Sequence, residues 1–231
     1  MLFISVSEVK TNPALNLVLF GRGRAQKISA ARAILGQTAF QSVPEPSECV
    51  LGRGDVCGRQ LTLVELPDLS GKSEEEVNKD SFRCVSLCDP EGVHAFILVV
   101  PVERLTDEDK QELKIIQNTF SSRVNDFTMV LFTVKSDPKA PAVVNFVEKN
   151  SDNQELVQSC RDKYILNIKD KEQIPELLDK LQRMRTSTDE LCCYTTETFA
   201  LAQIDKVIQQ EKLPKEKSEY SKYLETSLCP P

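Results

Sequence analysis

Short apolar runs alternate with stretches of helical period along most of this chain. The runs lie at about 15 to 20, 47 to 51, 59 to 66, 94 to 101, 127 to 133 and 163 to 168. They are short and rich in Val, Leu, Ile and Phe, the pattern of strands buried in a sheet. Between them, the segment 107 to 122 places Leu113, Ile116 and Phe120 on one face, behind Thr106 and Asp109 spaced as a capping box. Ile174, Leu177, Leu178, Leu181 and Met184 form a cleaner stripe, with Pro175 tolerated in the first turn. Ser73 and Glu76 mark a further helix start. This alternation predicts an α/β fold, a doubly wound sheet with helices on both faces.

Two stretches depart from the alternation. Residues 45 to 66 have no helical period and contain Gly52, Gly54 and Gly58, so the second and third strands are expected to pair as an antiparallel hairpin. The six-stranded sheet is then mostly parallel, with one antiparallel strand. After about residue 188 the alternation stops. Thr196 to Glu211 carries Leu201, Ile204 and Ile208 at helical spacing, a helix that must pack on the domain or on a partner. From 212 a Lys/Glu-rich tail with Pro214 reads as mobile, with Tyr220, Tyr223 and Leu224 available to dock. The expected organisation is one domain over 12–187 and a C-terminal helical extension with a mobile tail over 188–231.

Length and charge narrow the class. At 231 residues the chain suits one domain of about 180 to 200 residues plus that extension. A net charge of −6 argues against nucleic acid or an anionic bilayer as the main partner. The longest apolar run, Ala95 to Val102, is far short of the roughly 20 residues that span a bilayer. The start MLFISVSEVK lacks the charged lead and cleavage site of a secretory signal. A soluble, cytoplasmic protein without a transmembrane segment is expected. Cysteines at 49, 57, 84, 88, 160, 192, 193 and 229 make no CxxC pair, and His94 is the one histidine, so zinc is not expected. Most thiols are read as small buried hydrophobes, and His94, opening a buried strand, as structural. Cys229, in Cys-Pro-Pro, falls one residue short of a prenylation box.

The chemistry concentrates after the first apolar run. Residues 21 to 29, GRGRAQKIS, stand between that run and the helix-forming AARAIL. A phosphate-binding loop reads GxxxxGK[ST] in this place: its glycines let backbone N–H groups close on phosphates, its lysine bridges the outer phosphates and its hydroxyl binds Mg²⁺. Gly21 and Lys27 fit, whereas Gln26 replaces the second glycine and Ile28 the hydroxyl. Gly23, Arg24 and Ala25 complete the loop. A chance glycine turn is the alternative, but strand, loop and helix follow one another at the start of an α/β chain. The end of the third strand, LTLVELPDL over 61 to 69, falls where nucleotide switches carry DxxG; Glu65 and Asp68 take those places, and Asp68 would set a carboxylate against a γ-phosphate. At the end of the fifth strand, Phe132-Thr133-Val134-Lys135-Ser136-Asp137 fits the guanine motif [NT]KxD at Lys135 and Asp137, while Val134 lacks the polar contact.

At these residues the chain resembles the immunity-associated GTPases known as GIMAP proteins. Leu15 to Gln37 is similar to their phosphate-loop segment, Gly92 to Asp109 (GVHAFILVVPVERLTDED) to the box they carry between switch and base motif, and Cys160 to Lys169 (CRDKYILNIK) to their last guanine-contacting loop. Asn167 is in place there, and Ile168 stands where a second Asn is usual. The resemblance implies a P-loop NTPase G domain, guanine nucleotide with Mg²⁺, and nucleotide-regulated self-association with other GIMAP-type G domains. It assigns nucleotide contacts to Gly21, Lys27, Asp137 and Asn167, and the departures at Arg24, Gln26, Ile28, Glu65, Leu66, Asp68 and Val134 fall on the phosphates, the metal and one base contact.

Three functions remain open on these residues. One is a working GTPase with its Mg²⁺ held elsewhere, which ranks last; no catalytic residue or metal ligand is assigned. Another is a switch that binds GTP or GDP weakly without hydrolysis, with GDP favoured because Asp68 opposes the γ-phosphate. The third is a nucleotide-free pseudo-GTPase serving as an interaction or oligomerisation module. Each lost hydrogen bond to a charged phosphate costs about 1.5 to 3 kcal/mol, roughly a 10- to 100-fold loss of affinity.

Overall fold

A computed structural model describes residues 13–37, 40, 48–102, 106–186 and 192–227. Six strands, β1 (Leu15–Phe20), β2 (Val50–Val56), β3 (Arg59–Glu65), β4 (Ala95–Pro101), β5 (Thr128–Val134) and β6 (Asp162–Asn167), form one sheet in the order β2-β3-β1-β4-β5-β6. Only β2 runs antiparallel, against β3. The turn between them is two residues long, Cys57 and Gly58, both at positive φ (56° and 70°). That geometry matches the twist of a tight hairpin, and Asp55 Oδ1 secures it by accepting from Gly58 N at 3.1 Å.

Among the described residues seven α-helices accompany the sheet: α1 (Arg24–Leu35), α2 (Glu74–Ser86), α3 (Asp107–Phe120), α4 (Pro141–Lys149), α5 (Ser151–Gln158), α6 (Ile174–Thr186) and α7 (Thr196–Ser227). Because strand side chains alternate in direction, β1 sends Leu15, Leu17 and Leu19 to one face and Val18 and Phe20 to the other. The first set packs with Ala30 and Ile34 of α1 and Leu177 and Leu181 of α6. The second packs with Val85 of α2, Leu113, Ile116 and Phe120 of α3, and Phe199 of α7. β1 is buried on both faces and flanked by β3 and β4, which is why its six residues are all buried.

The expected caps form. Thr106 N donates to Asp109 Oδ2 at 2.8 Å, and Ser73 N to Glu76 Oε2 at 2.9 Å. The chain from 141 to 158, which the periodicity did not resolve, supplies α4 and α5. A parallel pair such as β5 and β6 requires a crossover of a dozen or more residues, and these helices are it. α7 runs on to Ser227, through Pro214, where the periodicity ended near Glu211. Lys and Glu are frequent in this stretch and are good helix formers.

The extension is joined to the core at its start. Tyr194 and Val93 exchange backbone hydrogen bonds at 2.7 and 2.8 Å, and the Tyr194 hydroxyl donates to Phe120 O at 2.8 Å. Its fully buried ring stands edge-on to Phe96 and Phe120, each at 5.5 Å. Beyond Phe199 the outer face of α7 leaves Leu201, Ile204, Val207 and Ile208 exposed by 43 to 56%.

His94 is structural in its contacts. Its Nδ1 accepts from Asn16 N at 2.9 Å while the His94 backbone N–H donates to Asn16 O at 2.8 Å. Burial first, and the charge of Arg185 second, push the imidazole down to about 4, so it is neutral. The cysteines depart from expectation: of the described ones only Cys84 and Cys88 are buried, while Cys57 and Cys192 are exposed. Both exposed residues sit in turns, where the backbone sets the position and packing does not. Among the described residues no helix is long and apolar enough to cross a membrane.

Candidate nucleotide site at the carboxyl edge of the sheet

β1 delivers the chain to the expected loop, and backbone geometry explains its two glycines. Gly21 has φ 118°, and a Cβ there would stand 2.9 Å from Val99 O, so the loop passes too close to β4 for any side chain. Gly23, at φ 85°, caps α1, which begins at Arg24. A phosphate loop leaves its amides pointing at the ligand. Here the amides of Gln26 and Lys27 both donate to Gly23 O, at 3.1 and 3.3 Å. Gln26, a far better helix former than the glycine expected there, lets the helix start early and close its first turn on itself. Its side chain folds back over the turn: Oε1 lies 2.3 Å from where a Gly23 Cβ would be.

Lys27 is fully buried and turned inward. Its Nζ donates to Leu66 O at 2.8 Å and to Asp68 Oδ1 at 2.5 Å, and pairs with Glu65 Oε1 at 3.3 Å. Glu65, also fully buried, meets Arg24 Nε at 3.7 Å. Desolvation pushes the Glu65 carboxyl above its usual range, against the pull of Lys27 and Arg24. Asp68 Oδ2 accepts from Gly23 N at 3.3 Å. The loop that carries Asp68 is clamped from α3, where buried Glu112 accepts from Leu69 N at 3.0 Å and from Ser70 Oγ at 2.9 Å. Glu112 escaped the sequence reading. Its signal was a carboxylate one turn from Ile116, on the apolar face of a helix.

The position where the loop's Mg²⁺-binding hydroxyl is expected carries Ile28, which has no donor oxygen. Ile28 packs against the core on the α1 face, and Ser29 Oγ donates to Ala25 O at 2.7 Å. Glu65 and Asp68 both face Lys27.

The base end is different. A cavity of about 410 Å³ opens between the first turns of α1 and the ends of β5 and β6, lined by Ala25, Gln26, Ser29, Thr133, Lys135 and Ile168 among others. Its two base loops are tied together by Ile168 N donating to Val134 O at 3.0 Å. Asp137 and Asn167 flank the lining residues Ser136 and Ile168 in sequence but do not themselves line the cavity. Asp137 Oδ1 accepts from Lys139 N at 2.9 Å and Asn167 Oδ1 from Lys169 N at 3.0 Å, so each carboxyl or amide oxygen holds its own turn. Of the residues assigned from sequence, Ala25, Gln26 and Lys135 meet at this cavity. Gly21, Gly23, Arg24 and Lys27 belong to the phosphate end, and Ile28 to the core.

A strand, glycine turn and helix at the head of a mostly parallel six-stranded sheet, with base loops at the ends of β5 and β6, define a P-loop G domain. Solved structures share this fold. A dimerization-deficient mutant of Toc33 from Arabidopsis thaliana superposes with TM-score 0.57 at 16% identity, covering 76% of this chain and 86% of that one. Era in complex with MgGDPNP and a fragment of 16S ribosomal RNA gives 0.54 at 12% identity, covering 78% and 59%. The model of the AIG1 family matches residues 15–213, and the chain belongs to that family. Human GTPase IMAP family member 8 is 29% identical over 183 residues, 74% of this chain and 27% of the relative. Immune-associated nucleotide-binding protein 9 of Arabidopsis thaliana is 34% identical over 134 residues, 53% and 38%. The chain thus spans between about a quarter and two fifths of the length of these relatives.

Proposed function

We propose that this chain is a guanine-nucleotide-binding-type G domain that engages ligand through its base end and does not hydrolyse GTP. One observation carries the reading: an open cavity of about 410 Å³ at the base loops adjoins a phosphate end where Lys27 and the amides of Gly23, Gln26 and Lys27 already have partners within the protein. A cavity of this size lies in the range of small-molecule sites. Relatives named as a GTPase and as a nucleotide-binding protein support guanine nucleotide as the ligand class. Ile28 replaces the hydroxyl that would hold a Mg²⁺ ion, and that ion would neutralise the charge developing in phosphoryl transfer.

Calorimetric titration of the purified chain with GDP and GTP, with and without Mg²⁺, tests this. Dissociation constants weaker than micromolar and unaffected by Mg²⁺ are expected, with no phosphate release. Steady release of phosphate from GTP would refute the non-hydrolysing assignment. Absence of heat at millimolar nucleotide would instead favour a second reading, a pseudo-GTPase acting as an interaction or oligomerisation module. The exposed apolar positions Leu201, Ile204, Val207 and Ile208 on α7 favour that alternative, with other GIMAP-type G domains as partners.

A further inference from the structure

We propose that Asp68 is a built-in anion of the phosphate end and sets ligand specificity: the adjoining cavity takes a guanine nucleoside or monophosphate in preference to the di- or triphosphate. This rests on the base site proposed above and adds the class of ligand that fits it.

A carboxylate oxygen and a phosphate oxygen ask for the same partners, a lysine and a backbone N–H at a helix N-terminus. Asp68 has both. One oxygen takes Lys27 Nζ at 2.5 Å and the other takes the N–H of Gly23, the residue that caps α1. The group is tethered and its loop is held by Glu112 through Leu69 N and Ser70 Oγ, so it competes as an intramolecular ligand at high effective concentration.

Charge points the same way. Lys27 and Arg24 face Glu65, and Lys27 also faces Asp68. Of the loop's three cations, Lys27 and Arg24 are matched by these two carboxylates before any phosphate arrives, while Arg22 donates to Thr106 Oγ1 at 3.3 Å. A β- or γ-phosphate must displace Asp68 from Lys27, open the helical turn that engages the amides of Gln26 and Lys27, and sit beside Glu65. None of this burdens the base and sugar. The residues lining the cavity include no carboxylate, and Gln26, Ser29, Thr133, Lys135 and Ser136 offer neutral or cationic polar groups to an uncharged nucleoside.

The test is calorimetric titration of the whole chain with guanosine, GMP, GDP and GTP, for the wild type, Asp68→Asn and Asp68→Ala. Circular dichroism verifies that each protein is folded, and the isosteric Asn variant guards against an effect of truncation. In the wild type, guanosine and GMP are expected to bind at least as tightly as GDP and GTP. In both variants the ratio of GTP to guanosine affinity is expected to rise at least tenfold. A wild type that binds GTP tenfold more tightly than guanosine, or a ratio unchanged in both variants, overturns the role of Asp68 and leaves the base site standing. No binding of any of the four ligands to any of the three proteins removes the base site, and this inference with it.

Discussion

Replacing Lys27 by Met separates a structural ion from a ligand-binding one. In a phosphate loop whose lysine reaches out to ligand, the change abolishes binding and leaves stability almost untouched. Here Lys27 and Glu65 are both fully buried. Removing one partner of a buried pair costs about 3 to 5 kcal/mol, because the other charge is stranded. Loss of the donor to Leu66 O contributes about 1 kcal/mol more. The Asp68 arm adds little, since that carboxylate is 44% exposed and screened by water. Proton uptake by Glu65 limits the total, at about 1.4 kcal/mol for each pH unit between its pKa and the solution.

The sign of the pH dependence follows. The Glu65 pKa is raised from 4.5, so just above that pH the native state holds a proton that the unfolded chain has lost. Removing Lys27 raises it further, so the damage is greater at pH 8 than at pH 5. We expect a loss of about 4 kcal/mol at pH 8, or a fall of roughly 10 °C in Tm at about 2 to 4 °C per kcal/mol. Adding Glu65→Gln to the Met variant should recover at least about 2 kcal/mol by removing the stranded charge. Urea unfolding followed by circular dichroism measures all of these. A loss below about 1 kcal/mol at pH 8, or no recovery in the double variant, refutes the account of Lys27 as a buried structural cation.

Two further outcomes bear on the frame around the site. His94 titrates at about 4 in the fold against 6.5 when free, so its contribution is complete above pH 6.5 and is lost as pH falls toward 4. The loss approaches about 3 kcal/mol at the acid end; His94→Gln should flatten the pH dependence of the urea midpoint by close to one proton, and parallel curves would contradict a neutral buried imidazole. Tyr194→Phe, which leaves Phe120 O without its donor, should cost about 1 to 2 kcal/mol, and Tyr194→Ala about 3 to 5 kcal/mol. Thermal melts in which the Ala variant loses less than about 1 kcal/mol would show that the start of the extension is not part of the cooperative core.

Much of the architecture was legible because it is local. The apolar run Leu15–Phe20, the capping boxes at Ser73 and Thr106, and the stripe on α6 each declare an element within a few residues of sequence. The glycines of the hairpin announced the antiparallel strand in the same way. α4 and α5 were hidden because they are short, nine and eight residues, and because the valines of α4 are β-branched and read equally well as strand. The core role of Tyr194 was invisible for another reason: its contacts, Val93 and Phe120, lie 101 and 74 residues away.

The candidate site divides along the same line. By itself the sequence determined that a P-loop G domain is present and that positions 24, 26, 28, 65 and 68 depart from its ligand contacts, because those motifs are contiguous and their residue types are chemistry-specific. It presented the departures as subtractions. Only the tertiary structure decided how they are arranged, with Asp68 and Glu65 closing on Lys27, Gln26 closing the turn of α1 and Ile28 packed against the core. The physical reason is that a buried lysine must be paired, and which carboxylates pair with it depends on β3 lying beside β1 in the sheet.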